Sequence, residues 1–256
     1  VTAVTEALLE ARGIEKRFGH VTALRGADFS VHEGEVVALV GDNGSGKSTL
    51  VKILSGAIQP SAGEIRFAGQ PIHLPTTVAA RRLGIETVYQ DLALALDLDS
   101  TSNLFLGREV VRQGLLGWLG FLDRKAMSRR TDEAFGSLGV SILDAGAPVA
   151  TFSGGQRQGV AVARAVTWAS RIVFMDEPTA ALGVVQTRRV LDLIRRVRDS
   201  GVAVVLISHN MAQVMDVADR AEVLRLGHRV AQFTRAEMTN ENLVGAMTGA
   251  LSAAAP

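Results

Sequence analysis

Gly41–Leu50 reads GDNGSGKSTL, and the fold follows from how that stretch is set in the chain. Gly41–Ser48 fits the pattern G-x-x-x-x-G-K-[ST], preceded by the apolar run EVVALV (35–40) and followed by a helical pattern. That context is the one the pattern needs to act as a phosphate loop. Gly44 and Gly46 free the backbone to turn, so that successive N–H groups face phosphate oxygens. The helix beginning near Lys47 adds the positive end of its dipole. Lys47 reaches the β- and γ-phosphates of a nucleoside triphosphate, and the Ser48 hydroxyl is a ligand for Mg²⁺. Gly41, Asn43, Ser45 and Thr49 complete the loop.

Moving outward, EVVALV is one of three continuous apolar runs, with RIVFM (171–175) and VAVVLIS (202–208). Unbroken apolar runs of strand length suit strands covered on both faces, as in a parallel sheet between helices. Each run gives way to polar residues, at Gly41, Asp176 and His209. Ligands of open α/β sheets collect at the carboxyl ends of strands, so three polar motifs there predict one site. Asp176 is placed to hold Mg²⁺ through its water shell, and Glu177 to orient or deprotonate an attacking water. His209 is placed to contact the γ-phosphate.

EIRFAGQPI (64–72) and EVLRLGHRVAQF (222–233) read as strand, short turn, strand. Long helical patterns follow Lys47 and Ser153, and another spans roughly 185–200. Between 91 and 149 strand signals are few and helical pieces short, which predicts a smaller helical subdomain inserted in an α/β core. Its glycine-punctuated run GLLGWLGFL (114–122) is expected to be core of that subdomain rather than a docking surface, since exposed apolar patches are the exception.

The 256-residue chain is long enough to bury a sizeable core. It is 47% hydrophobic, with no run of membrane-spanning length. Lys+Arg 27 against Asp+Glu 26 leaves a net charge of +1, so the whole-chain balance carries no footprint for nucleic acid or an anionic membrane. Arg188, Arg189, Arg195, Arg196 and Arg198 flank an apolar stripe of Val190, Leu191, Ile194 and Val197, which reads as a solvated helix face. No cysteine is present, which excludes disulfides and thiolate chemistry and suits a reducing compartment. The first residues, VTAVTEALLEARG, lack the basic and apolar segments of a secretory signal.

Thr151–Val160, TFSGGQRQGV, is harder to place. Ser153 to Gln156 is a capping box, which accounts for a helix start but not for two glycines, each poor in helices by about 1 kcal/mol. Bare backbone at a helix start suits close approach of a phosphate. Yet the γ-phosphate is already served by Lys47 and Gly44.

At this point the chain resembles the ATP-binding subunits of ABC transporters over nearly its whole length. GDNGSGKST looks like the Walker A loop, RIVFMDEP like Walker B with its glutamate, and TFSGGQRQ like the signature motif. The resemblance implies a P-loop NTPase (RecA-like) core with a mostly parallel sheet, an antiparallel β part and an inserted helical subdomain. It implies one nucleotide-binding domain over 1–256, with the helical subdomain and signature helix at about 91–165. Gln90 in TVYQD falls at the Q-loop, which makes it a third Mg²⁺ ligand beside Ser48 and Asp176 and a link to the γ-phosphate. His209 falls at the H-loop, and Phe18 in KRFGHVTAL at the aromatic that stacks on adenine.

The resemblance also explains the second glycine stretch. Two such subunits pair head to tail, and Ser153, Gly154, Gly155 and Gln156 of one bind the ATP held by the other. It further implies ATP hydrolysis as the activity and a transmembrane permease and a solute-binding protein as partners. The partner ATPase is a second copy or a related subunit, the location is the cytoplasmic face of the inner membrane, and no nucleic acid is involved. NLFLGRE (103–109), LDRKAM (122–127) and VGAMTGA (244–250) resemble stretches of bacterial importers for ribose, xylose and fructose. The alternative is a soluble ATPase of the same superfamily acting on DNA or ribosomes. Those carry long coiled coils or tandem ATPase domains and basic linkers, absent here. Two departures stand out: Gly183 where the family commonly has aspartate, and Phe152 in place of the signature's leading leucine.

Overall fold

The computed structural model describes residues 6–140, 144–180 and 182–250. The chain begins with two long strands, β1 (Leu9–Phe18) and β2 (Val21–Val31), then β3 (Val36–Val40), which leads through the glycine loop into α1 (Lys47–Leu54). The hairpin β4 (Ala62–Phe67) and β5 (Gln70–Ile72) is followed by α2 (Thr77–Arg82) and β6 (Ile85–Val88). A helical stretch then holds α3 (Ser100–Phe105), α4 (Leu115–Trp118), α5 (Arg124–Leu138) and α6 (Gly154–Trp168). The chain returns with β7 (Ile172–Asp176), α7 (Val184–Asp199), β8 (Ala203–Ile207) and α8 (Met211–Val217). The hairpin β9 (Arg220–Arg225) and β10 (His228–Thr234) and the last helix α9 (Asn240–Thr248) complete it.

Two sheets result. One is antiparallel, in the order β2-β1-β4-β5; the other runs β10-β9-β3-β8-β7-β6 and is parallel apart from β10. All three predicted apolar runs lie in the second, with every residue of β3 and β8 buried. Strand alternation explains why they are apolar throughout. Val36, Ala38 and Val40 face a core shared with α6, α7, α8 and α9, while Val37 and Leu39 face one shared with α1 and the antiparallel sheet. Each fully buried Val or Leu contributes about 1.5–3 kcal/mol, so neither face can be made polar cheaply.

A third cluster joins Leu104, Phe105, Met127 and Phe135 to Phe152, Val160 and Ala163. Phe152, just before the Ser153 cap, is 7% exposed within it. α6 sends Val160 and Ala163 into this cluster, and Ala161, Val162 and Ala165 into the parallel-sheet core. On α7 the apolar stripe is buried, while Arg195 and Arg198 pair on the outer side with Asp192, Asp216, Asp199 and Asp219, as a solvated face should.

Two expectations need correction. The pattern after Lys47 gives a helix of only eight residues, closed by Ser55 and Gly56. GLLGWLGFL is not core: Leu115, Trp118, Leu119 and Phe121 are all exposed. The reason is geometric, since the one-turn α4 is too short to present a buried face, and it has no buried residue.

Candidate functional site

The carboxyl ends of β3, β7 and β8 open on a cavity of about 830 Å³. Gly41, Asn43, Gly44, Gly46, Lys47, Ser48, Thr49, Gln90, Asp176, Glu177 and His209 line it together, as the three strand ends predict. Ser45 is 4% exposed beneath the loop, its N–H donating to the Asp42 carbonyl at 3.1 Å.

The glycines hold the loop by what they lack. Gly41 has φ 151° and Gly46 φ 108°. A side chain at Gly41 would strike the Leu224 carbonyl of β9, and one at Gly46 would come within 2.9 Å of the Ala23 carbonyl. Gly44 has φ 79° and open space where its side chain would be, so its backbone is bare to a ligand. Gly46 caps α1 with no side-chain hydrogen bond, leaving the helix's first N–H groups for an anion. Lys47 Nζ donates to the carbonyls of Gly41 at 2.7 Å and Asp42 at 2.9 Å. Burial pushes its ammonium below the ordinary lysine range, against the pull of Glu177, Asp176 and Asp42. The ammonium also reaches the Ser45 hydroxyl at 3.4 Å; held by neutral oxygens at a bare helix start, it fits a polyphosphate.

Burial lifts the Asp176 carboxyl above the ordinary aspartate range, and the adjacent Glu177 adds to the lift, while Lys47 and Lys52 oppose it. Ser48, Gln90 and Asp176 also line a second hollow beside the cavity. Hydroxyl, amide and carboxylate oxygens converging there suit a hard cation such as Mg²⁺. No group of three His, Cys, Asp or Glu able to hold a metal occurs among the described residues. That suits an ion which keeps waters and takes phosphate oxygens.

Glu177 sits at φ 51°, a left-handed conformation that a non-glycine residue rarely adopts. Its N–H donates to the Ile207 carbonyl at 3.0 Å. Its Oε1 accepts from His209 Nδ1 at 2.7 Å and from the His209 N–H at 3.1 Å. The Glu177 side chain is 15% exposed and the His209 ring 75%. The ring therefore pins the carboxylate from the solvent side.

Ser153, Gly155 and Gln156 line a different hollow, with Gln186, Arg189 and Leu193, and are not brought to the cavity. The capping box forms, with Ser153 accepting from the Gln156 N–H and Gln156 from the Ser153 N–H. Gly154 has open space beside it. Phe18 does not line the cavity; it is half exposed, with Lys16 Nζ 5.1 Å from its ring centroid and Val21, which does line it, as its strand partner.

Several residues at or near the site are given no role by the sequence reading. Met247 of α9 lines the cavity, from the VGAMTGA stretch. Arg164 of α6 donates to the carbonyls of Leu92 at 2.9 Å and Ala93 at 2.7 Å, just beyond Gln90. Leu92 and Ala93 both have positive φ, at 60° and 44°. Arg108 pairs with the buried Glu86 of β6 and stacks on Trp168 of α6, 4.8 Å from its ring.

Residues 24–180 match the sequence family described as ABC transporter. The chain is 51% identical over 247 residues to the fructose import ATP-binding protein FrcA of Rhizobium meliloti, covering 96% of this chain and 95% of that one. It is 45% identical to the xylose/arabinose import ATP-binding protein XylG of Sulfolobus acidocaldarius, over 94% of each. Against the ribose import ATP-binding protein RbsA 1 of Rubrobacter xylanophilus it is 43% identical and spans 47% of that chain's length. A nucleotide-free ATP-binding cassette from an ABC transporter shares the fold at TM-score 0.79 and 22% identity, over 94% of this chain and 98% of that one. An ATP-binding cassette in its ADP conformation does so at TM-score 0.79 and 23% identity, over 96% and 100%.

Proposed function

The chain belongs to the family of ABC transporter ATP-binding subunits, and from that premise we propose that it hydrolyses ATP to power a monosaccharide importer. The observation that carries this is one cavity lined by the phosphate loop, Asp176, Glu177 and His209, in a chain whose relatives are named for fructose, xylose and ribose import. Lys47 and the amides from Gly44 to Thr49 hold the β- and γ-phosphates and offset charge as the bond to the γ-phosphorus breaks. Ser48, Gln90 and Asp176 would hold Mg²⁺, which would supply neutralisation of phosphate charge. Glu177 takes the proton of the water that attacks the γ-phosphorus, ADP leaves, and His209 keeps the carboxylate aimed. Phe18, beside Val21, is the residue assigned to the adenine.

The signature segment, in its separate hollow, is assigned to the ATP of a second subunit, so that each chain carries half of two sites. Closure around ATP and opening after hydrolysis would drive a permease fed by a solute-binding protein. The chain is assigned to the cytoplasmic face of the inner membrane, peripheral to that permease.

Lys47→Ala is expected to lower ATPase activity at least about a hundredfold by removing the phosphate contact, with the fold unchanged by circular dichroism. Activity near the parent level sinks the site assignment. Glu177→Gln should bind ATP and Mg²⁺ and accumulate as a dimer on a sizing column; a monomer under those conditions removes unassisted homodimerisation. Affinity purification from native membranes tests the importer itself. A polytopic membrane protein in near-equal amount supports it, and recovery with ribosomes or DNA-bound proteins overturns it.

A further inference from the structure

The run GLLGWLGFL is folded as a finger. Its base is closed by a bridge between Val111 and Leu122, with the Arg112 N–H donating to the Phe121 carbonyl at 2.8 Å and the Asp123 N–H to the Val110 carbonyl at 2.7 Å. In the tip, the N–H groups of Trp118, Leu119, Gly120 and Phe121 all find carbonyls within the finger. Gly114 and Gly120 have φ 74° and 80°, and a side chain at Gly117 would run into the Arg112 carbonyl. The glycines that punctuate the run are what permit this shape. The N–H groups from Gly117 to Phe121 are thus satisfied inside, while Leu115 is 71%, Trp118 81%, Leu119 55% and Phe121 54% exposed.

We propose that this finger is a bilayer-interface anchor, which seats Leu115, Trp118, Leu119 and Phe121 at the headgroup–acyl boundary of an anionic membrane. Charge supports lipid as the occupant. Between 108 and 130 the chain has six bases against two acids, Glu109 and Asp123; Arg108 is taken up by Glu86 and Arg129 by Glu133, which leaves Arg112, Arg124, Lys125 and Arg130. The whole chain carries only +1, and Arg112, Arg124 and Lys125 stand next to the bridge that closes the finger's base. Trp and Leu at a tip with Arg and Lys behind them match the polarity profile of a bilayer surface of negative potential. The tip also lacks what a protein groove would engage. From 114 to 122 its one polar side-chain group is the Trp118 indole N–H, whereas protein interfaces carry many hydrogen bonds. Internal pairing of the backbone is what hydrocarbon demands. The proposal needs from the function above only that the chain works beside a membrane, whatever the cargo.

The test is sedimentation of the purified chain with vesicles of phosphatidylglycerol and phosphatidylcholine, and of phosphatidylcholine alone. Binding to the anionic vesicles is expected, weakening with salt and by about fivefold for each base removed in Arg124→Gln and Lys125→Gln. Trp118 emission should shift to the blue and be quenched by lipids brominated in their chains. Trp168, the other of the two tryptophans, donates its indole N–H to the Leu104 carbonyl inside the protein and should not respond. Trp118→Ser with Phe121→Ser should lose binding and keep ATPase activity. Gly117→Ala, which adds one methyl and distorts the tip, should weaken binding without lowering apolar content. No binding by the parent chain, or equal binding by the double serine variant, overturns the proposal. So does a finger variant that binds vesicles normally yet no longer co-purifies with a membrane protein, since that gives the surface to a protein partner.

Discussion

A methyl group at Gly41 would meet the Leu224 carbonyl, and the φ of 151° is one that side chains avoid. Gly41→Ala is therefore expected to destabilise the chain by about 2 kcal/mol or more in urea titrations, besides disturbing the loop. Asp176 works the other way. Its folded-state pKa is raised by burial above the ordinary 3.8, so keeping it ionised opposes folding. The folded chain holds the proton more tightly than the unfolded one, so stability falls as pH rises from 3.8 through the raised value, then levels off. Asp176→Asn should accordingly raise the melting temperature of the nucleotide-free chain at pH 7, and lose that advantage below 3.8, while hydrolysis is lost. A melting temperature unchanged or lowered at pH 7 removes the argument. At Gly183 an added side chain would come within 2.8 Å of Gln186 Oε1. The same Gln186 lies 2.8 Å from where a side chain of Gly155 would be, so one glutamine occupies space beside both glycines.

At the scale of elements, the segment after β6 is gripped from α6. Arg164 holds two consecutive carbonyls of residues in left-handed conformation, directly beyond Gln90. Arg164→Met should release that segment and lower kcat about tenfold, with KM for ATP little changed because the phosphate loop is untouched. A rise in KM alone would place Arg164 in nucleotide binding instead. The strands and helix starts were legible because few local patterns satisfy them: β3, β7 and β8 are apolar on both faces, and Ser153 with Gln156 makes a cap. Arg164 and Met247 were not legible, because an arginine and a methionine on helices look ordinary until topology brings them beside Gln90 and the cavity. GLLGWLGFL misled for a related reason. Apolar composition records a demand for cover, and does not say whether the cover comes from this chain.

For the whole molecule, the glycine loop, Asp176, Glu177 and His209 line one cavity because parallel strands bring their carboxyl ends to one edge, and that much the three apolar runs imply. Ser153, Gly155 and Gln156 lie in a hollow of their own, and no pattern in the sequence tells what they would meet there. The sheet's strand order has another consequence, which concerns how the molecule is made. β3, which carries the phosphate loop, has β8 and β9 as its neighbours, so Val36 pairs with Val204 and Val37 with Arg220. On the ribosome, an entirely apolar strand ending at Val40, with both edges bare, must wait until β8 begins at Ala203 before either partner exists. Nascent chains released before Ala203 should be unable to bind nucleotide and prone to aggregate, and ribosome-bound intermediates of that length are where a chaperone has most to shield.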